Sequence, residues 1–422
     1  MAPPRPCLPT DCLFHVFVHL DPVSIFRCAA VSRHWRRAVI DGAAEIRSHQ
    51  TGRADRWLLL GLHCREMYPG ELGFSHRSAW LPRAGRHWSD DMSVPSHLPK
   101  AEAGITKTKL YAPLACSDGL LLLCRGLPAE ISVSNPLTGF HATMPRPGEP
   151  ATSTYRYVLH SCHAARPNSF QVLAVDLGCE RIRSVQNYCS ETGAWGPVLR
   201  PDAGGELRLR LPWPSGYGAA PMAPLVFQGA VHWLCSSASD NSSNGGRYLT
   251  HTVAVDVATG LATMTRLPEQ CSMRIDDASD RKMLMLATSS EGDRLSLLRR
   301  EEASLEVSVW LYVGVDQGAD GDEDDPEKSW LLRQSIDVRK LIEDAGSLSR
   351  FRLGCKGWEV LETRLEGFCP RSRNVILWIP YLGLLVLDLE NKRIQRAADD
   401  SHGHVWPYEM DLTLCLCYMK PF

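Results

Sequence analysis

Hydrophobic residues follow two different periods along this chain, and the change comes near Asp55. Before it the spacing is helical. Leu13, Val16, Phe17 and Leu20 sit at i, i+3, i+4 and i+7, which predicts one apolar helix face. Thr10 or Asp11 can cap that helix, and the acid at Asp11 suits the positive end of its dipole. Asp21-Pro22 predicts the start of a second helix, with the aspartate as cap and the proline at the first helical position. Ile25, Cys28 and Ala29 continue the apolar stripe. Ser32 is the expected cap of a third helix, in which Trp35, Ala38 and Val39 point one way. Three short helices bury little on their own, so a unit this small is expected to lean on a partner or a neighbouring domain.

After Asp55 short apolar runs alternate with turn residues, which is the pattern of strands and hairpins. Arg56 to Leu60, Gly119 to Leu123, Phe170 to Val175, Leu225 to Phe227, Ala230 to Leu234, Arg294 to Leu298, Leu305 to Val313 and Val375 to Ile379 read as strands. The run from Leu305 alternates at its start, as a half-exposed strand does. A polar stretch rich in proline and histidine runs from Tyr68 to about Lys109. One helix is predicted among the strands, over Ile336–Ala345, with Asp337 near its start and Gly346 at its end.

A loose repeat runs through this region. Val133 to Gly139, Val185 to Trp195, Val253 to Gly260 and Leu385 to Lys392 each read as a strand end followed by a turn. In such hairpins an Asn or Asp side chain closes the turn, and Gly or Asn takes the positive φ. Repeated hairpins over some 300 residues suggest radial blades, with a stacked β-sandwich array as the competing arrangement. The copies are more widely spaced than ideal blades, so long loops or further copies are required.

Composition narrows the chemistry. The chain has 422 residues, 44% hydrophobic content and a formal net charge of -2, without the basic excess of a nucleic-acid surface. Its 15 cysteines are odd in number and form no repeated metal-ligand spacing, which suggests free thiols in a reducing compartment. Met1 to Pro6 has no apolar core of a secretory signal. The longest apolar stretch, Val375 to Leu387, is too short for a bilayer and is interrupted by Pro380 and Gly383. A soluble protein of the cytoplasm or nucleus is expected, with no membrane partner.

Few motifs suggest a reaction. Asp316 to Glu327 reads DQGADGDEDDPE, with acids at positions 1, 5, 7, 9 and 12 and glycine at 6 of an EF-hand-like loop. Gly318 stands at position 3 and Glu323 where an apolar residue belongs, so a solvated connector between strands is expected. His402-Gly-His404 after Asp399-Asp400 is at most half of a metal site. His160, Cys162, His163 and His232 fall in strand patterns. No nucleophile elbow, P-loop or dinucleotide fingerprint occurs. No metal, cofactor or catalytic residue is therefore expected, although a propeller can assemble an enzyme site from distant loops.

The stretch Leu8-Pro9-Thr10-Asp11-Cys12-Leu13, with Val16-Phe17, Leu20-Asp21-Pro22, Ile25, Arg27-Cys28-Ala29 and Val31-Ser32-Arg33-His34-Trp35-Arg36, resembles an F-box over residues 8–48. The resemblance implies a three-helix module that docks on the Skp-type adaptor of a cullin-based ubiquitin ligase. By the same resemblance Leu8, Pro9, Phe17, Leu20, Pro22, Ile25 and Val31 form the adaptor contact or its support, with Trp35 packed beneath. The segments SDGLLLL, SNPLTG, QGAVHWL and VAVDVATG also resemble the F-box-associated, kelch-like domains of plant F-box proteins, across about residues 110–395.

Together these readings predict an α+β multidomain chain: an F-box over 1–50, a linker and lead-in strand over 51–110, and a large all-β domain, a β-propeller, over 111–422. The resemblance implies the substrate receptor of an SCF-type ubiquitin ligase, the β domain binding an unidentified target protein. A non-degradative F-box scaffold is the alternative, and an enzyme built on a propeller stands behind it.

Overall fold

The computed structural model describes residues 8–20, 22–29, 31–42, 45–46, 59–67, 74–80, 112–125, 130–135, 140–147, 155–161, 169–177, 182–200, 209–210, 224–237, 247–275, 282–301, 304–314, 329–345, 363–398 and 404–409. The chain is a short helical F-box region followed by a large all-β domain. The helices are α1 (Thr10–Phe17), α2 (Pro22–Ala29) and α3 (Arg33–Asp41).

Two strands come next, β1 (Leu59–Met67) and β2 (Phe74–Trp80), inside the region read as a linker with a lead-in strand. The first blade is β3 (Ala112–Ser117), β4 (Leu120–Arg125), β5 (Glu130–Asn135) and β6 (Phe140–Met144). The second is β7 (Tyr155–Ser161), β8 (Phe170–Leu177), β9 (Ile182–Cys189) and β10 (Ala194–Trp195). The third is built from β11 (Leu209–Arg210), β12 (Leu225–Phe227), β13 (Ala230–Ser237), β15 (His251–Asp256) and β16 (Ala262–Arg266). A small ladder of β14 (Arg247–Leu249) and β17 (Met273–Ile275) stands apart from it. The fourth blade is β18 (Leu284–Thr288), β19 (Leu295–Arg300), β20 (Glu306–Tyr312) and β21 (Trp330–Asp337), followed by α4 (Val338–Asp344). The fifth is β22 (Arg364–Phe368), β23 (Asn374–Ile379), β24 (Gly383–Asp388) and β25 (Arg393–Ala398), and β26 (His404–Glu409) ends the described chain.

Every blade is an antiparallel meander, and the five are arranged as a β-propeller. Neighbouring blades share their cores. Leu122 and Val133 pack with Leu159 and Val172, Val175 and Val185 with Trp233 and Val253, and Leu297 and Val307 with Leu377 and Leu385. The ring is closed by the two ends of the domain. Strand β26 pairs antiparallel with β1, which pairs with β2, and β26 lies beside both β22 and β3. Closure of this kind leaves no open sheet flank between the first and last blades.

The predicted repeat is the turn between the third and fourth strands of a blade. Asp256 ends β15, and its Oδ1 accepts from the backbone N–H of Ala258 and Thr259 at 3.0 and 2.7 Å. Asp388 ends β24 and accepts from Glu390 N and Asn391 N at 3.1 and 2.9 Å. Four residues after each strand end the chain turns left-handed, at Gly193 (φ +67°), Gly260 (φ +72°) and Lys392 (φ +50°). The turn after Asn135 lies outside the described residues. The fourth blade has no such short turn, because residues 315–328 stand between β20 and β21 instead.

Three expectations need correction. Helix α4 starts at Val338, because Ile336 and Asp337 still belong to β21; Asp337 caps it by accepting from Lys340 N at 3.0 Å. Strand β20 is not half-exposed, since Val307, Ser308 and Val309 are buried in succession. A strand inside a blade is covered on both faces by the adjoining blades, and Ser308 is satisfied there by donating to Glu301 Oε1 at 2.9 Å. Helix α1 begins at Thr10 with Pro9 in the cap position and no side-chain cap, so Thr10 and Asp11 lie inside its first turn. The readings of Asp316–Glu327 and His402 fall outside the described residues.

Candidate functional site

The helical module has a complete core of its own. Leu13, Phe17, Val18, Ile25, Ala29, Ala38, Val39 and Ile46 are buried together, with Leu20, Cys28 and Trp35 packed partly against them. Ser32 caps α3 as expected, its Oγ accepting from Trp35 N at 3.3 Å. That cap orients Trp35, whose ring meets Phe17 edge-on with centroids 5.9 Å apart.

The residues that the F-box resemblance selects therefore divide into two groups. Phe17 and Ile25 are wholly buried, so they support the module and offer no surface to a partner. Leu20 and Trp35 are half-buried beside them. Pro22 opens α2 at its first position. Leu8 and Val31, by contrast, are 53% and 67% exposed, and Pro9 is exposed as well. His34 Nε2 lies 3.1 Å from the Leu8 carbonyl oxygen. This contact ties the segment before α1 to the start of α3, the place that Val31 leads into. Val16 was expected on the buried stripe but is 44% exposed, at the edge of the face that buries Leu13 and Phe17.

In the propeller the polar side chains gather where the ring closes. The turn between β22 and β23 is the hub. Arg371 pairs through Nε with Asp118 in the turn between β3 and β4. The backbone N–H groups of Arg371 and Ser372 donate to Glu409 at 3.0 and 2.7 Å. Tyr408 donates its hydroxyl to Gly119 O at 3.1 Å. Arg373 reaches into the fourth blade and donates to Thr288 Oγ1. Burial pushes the Glu409 carboxyl above its ordinary range, against the pull of its hydrogen bonds. Nothing in the sequence marks this cluster, because Arg371 and Asp118 are 253 residues apart.

Four of the described thiols are shifted away from nucleophile activation. Burial pushes Cys235 and Cys271 up to about 12, and it raises Cys116 and Cys369 as well. A reactive cysteine needs the opposite shift, toward thiolate at neutral pH. Burial also lowers His232 and His141, which keeps both neutral. Among the described residues no group of three His, Cys, Asp or Glu side chains is placed to hold a metal.

Comparison with known proteins divides the chain in the same way. A family model described as F-box-like matches residues 6–44, and one described as Domain of unknown function (DUF7595) matches residues 76–422. No curated protein matches the chain. Among solved structures it is similar to "Crystal structure of Nidogen/Laminin Complex", at 10% identity over 82% of this chain and 96% of that one, with a TM-score of 0.36. It is also similar to "YCF48 from Cyanidioschyzon merolae", at 8% identity over 79% of this chain and 83% of that one, again with a TM-score of 0.36. Likeness at this level says nothing about activity.

Proposed function

The chain belongs to the family described as Domain of unknown function (DUF7595), and because an F-box-like module stands at its head we propose that it is the substrate-recognition subunit of an SCF-type, cullin-based ubiquitin ligase. The observation that carries this reading is the exposed pair Leu8 and Val31. Both are large apolar side chains on a module whose own core is already closed without them. Exposed apolar groups that a small unit does not need for its fold favour a partner surface. In this reading Leu8, Pro9 and Val31 contact the Skp-type adaptor, while Phe17, Leu20, Ile25 and Trp35 hold the contacting segments in place.

The propeller then serves as the platform for a target protein. The subunit needs no chemistry of its own. Binding the target raises the local concentration of its lysines beside the charged conjugating enzyme, which is catalysis by proximity. Such a complex works in the cytoplasm or nucleus. No described helix is long and apolar enough to cross a membrane.

A reconstituted ligase tests this. The full chain, assembled with adaptor, cullin and ubiquitin-charging enzymes, should support ubiquitin transfer to a captured target, and Leu8→Asp with Val31→Asp should stop it without releasing the target. Transfer that continues unchanged in the double variant would remove the F-box as the coupling element. Adaptor binding without any transfer would favour a non-degradative scaffold.

A further inference from the structure

The positive charge of this chain is carried mainly by arginine. Nine of its 46 lysine and arginine residues are lysine: Lys100, Lys107, Lys109, Lys282, Lys328, Lys340, Lys356, Lys392 and Lys420. Residues 1–99, which include the helical module, contain none, and neither do residues 110–281.

Some of the arginines have a structural reason. Arg371 pairs with Asp118, Arg373 donates to Thr288, and the Arg364 guanidinium carbon lies 4.9 Å from the centre of the Trp378 ring. A flat fork of donors suits such places better than an ammonium does. At exposed positions lysine serves as well for charge and solubility, and it forms helix about as readily as arginine. Yet Arg27, Arg33, Arg37, Arg183, Arg333 and Arg393 are all exposed, whereas Lys340 and Lys392 are the exposed lysines among the described residues. The Arg37 side chain is 85% exposed and lies 3.7 Å from Asp41, in an i,i+4 pair that lysine makes equally well. Lys282, the third described lysine, is covered. Its ammonium pairs with Glu366 between the fourth and fifth blades, where the two side chains are 20% and 4% exposed.

We infer that arginine in place of lysine on the exposed surface shields this chain from the ligase it serves, so that ubiquitin goes to the target, and that Lys340 and Lys392 are the self-modification sites of the described surface. The inference rests on the receptor reading above and names how that same complex is kept from consuming its own receptor. In the transfer step a lysine ε-amine that has lost its proton to water attacks the ubiquitin thioester carbonyl on the conjugating enzyme. The C–N isopeptide bond forms, the C–S bond breaks, and the sulfur leaves with a proton from the amine. A guanidinium is always charged and its electrons are delocalised, so it cannot make that attack. A receptor held in the complex presents its own side chains at high effective concentration for as long as it stays bound. Every exposed lysine on it therefore competes with the target. Arginine keeps the charge and removes the competitor, and Lys282 is withheld by its burial against Glu366.

The test uses the full chain extended after Phe422 by a flexible lysine-rich peptide, a tethered stand-in for the target, in the reconstituted ligase. Mass spectrometry reads where ubiquitin is attached. The peptide should be modified heavily, and the described surface only at Lys340 and Lys392. Arg183→Lys, Arg333→Lys and Arg393→Lys together conserve the charge and should raise modification of the propeller about threefold or more at the substituted positions, with the melting temperature unchanged. If the triple variant is modified no more than the natural chain while the peptide is modified in both, arginine gives no shield and the inference is overturned. Ubiquitin on Lys282 of the natural chain would overturn it as well. A peptide left unmodified would remove the receptor reading, and this inference with it.

Discussion

The guanidinium of Arg373 lies directly over Gly292, so that a Cβ at that glycine would overlap Nη2. The two residues sit in the equivalent turns of adjoining blades, between β22 and β23 and between β18 and β19. Gly292 also has φ +76°, a conformation that a side chain resists. Gly292→Ala should therefore destabilise the propeller by about 2 kcal/mol, from backbone strain and from displacing a buried arginine from Thr288. Part of that cost depends on Arg373. In a double-mutant cycle read by urea denaturation, Gly292→Ala should cost about 1 kcal/mol less in an Arg373→Ala background. Additive effects would show that the packing of the two residues is immaterial.

Glu409 gives the ring closure a pH dependence of known sign. Its folded pKa is raised from the ordinary 4.5, chiefly by burial. A raised folded value favours the protonated form in the native state. Its stabilising contribution is thus complete below the unfolded value and is lost as pH rises through the folded one. Glu409→Gln cannot titrate. The stability of the natural chain relative to that variant should therefore fall as pH increases above about 4.5, measured by urea midpoints at a series of pH values. A difference that grows with pH would mean that the two backbone N–H donors outweigh burial.

Lys392 occupies the left-handed turn position that glycine fills at Gly193 and Gly260. A lysine there is strained by its Cβ, although glycine makes the unfolded chain more flexible. Lys392→Gly should raise the stability of the fifth blade by about 0.5 kcal/mol, seen as a small rise in melting temperature. A fall in melting temperature would contradict this comparison of the turns.

Ile25 is part of the core of the helical module. Ile25→Ala should open a cavity and cost about 2 to 4 kcal/mol of the module's stability, visible as early loss of helical signal on heating. A variant as stable as the natural chain would contradict its burial.

The helices and hairpins could be read along the chain because their causes are local. The Ser32 cap, the proline at the start of α2 and the Asp-to-glycine turns after β15 each act within a few residues. Distant pairings had no such signal. Strand β26 finds β1 across nearly the whole domain, so residues 59–80 read as a linker with one lead-in strand, with no sign of the partner to which β1 and β2 bring their sheet. Periodicity also failed where burial is two-sided. Ser308 looked like the polar half of an exposed strand but is covered by the neighbouring blade. In the F-box region the helical spacing placed Val16 with Phe17, although the three helices cover only Leu13 and Phe17 from that turn. The motif proposed the segments for an adaptor contact; exposure then separated Leu8 and Val31 from the core residues Phe17 and Ile25.

The central claim is that the exposed face of the helical module binds a Skp-type adaptor, and the direct measurement is calorimetric titration of the full chain with purified adaptor. A standard interface of this kind buries roughly 800 Å² per partner and is dominated by a few anchors. The natural chain should bind one adaptor per chain. Leu8→Asp with Val31→Asp should weaken binding by about 3 kcal/mol while the helical signal and melting temperature stay unchanged. No heat of binding from the natural chain, or equal affinity in the folded double variant, would contradict the account.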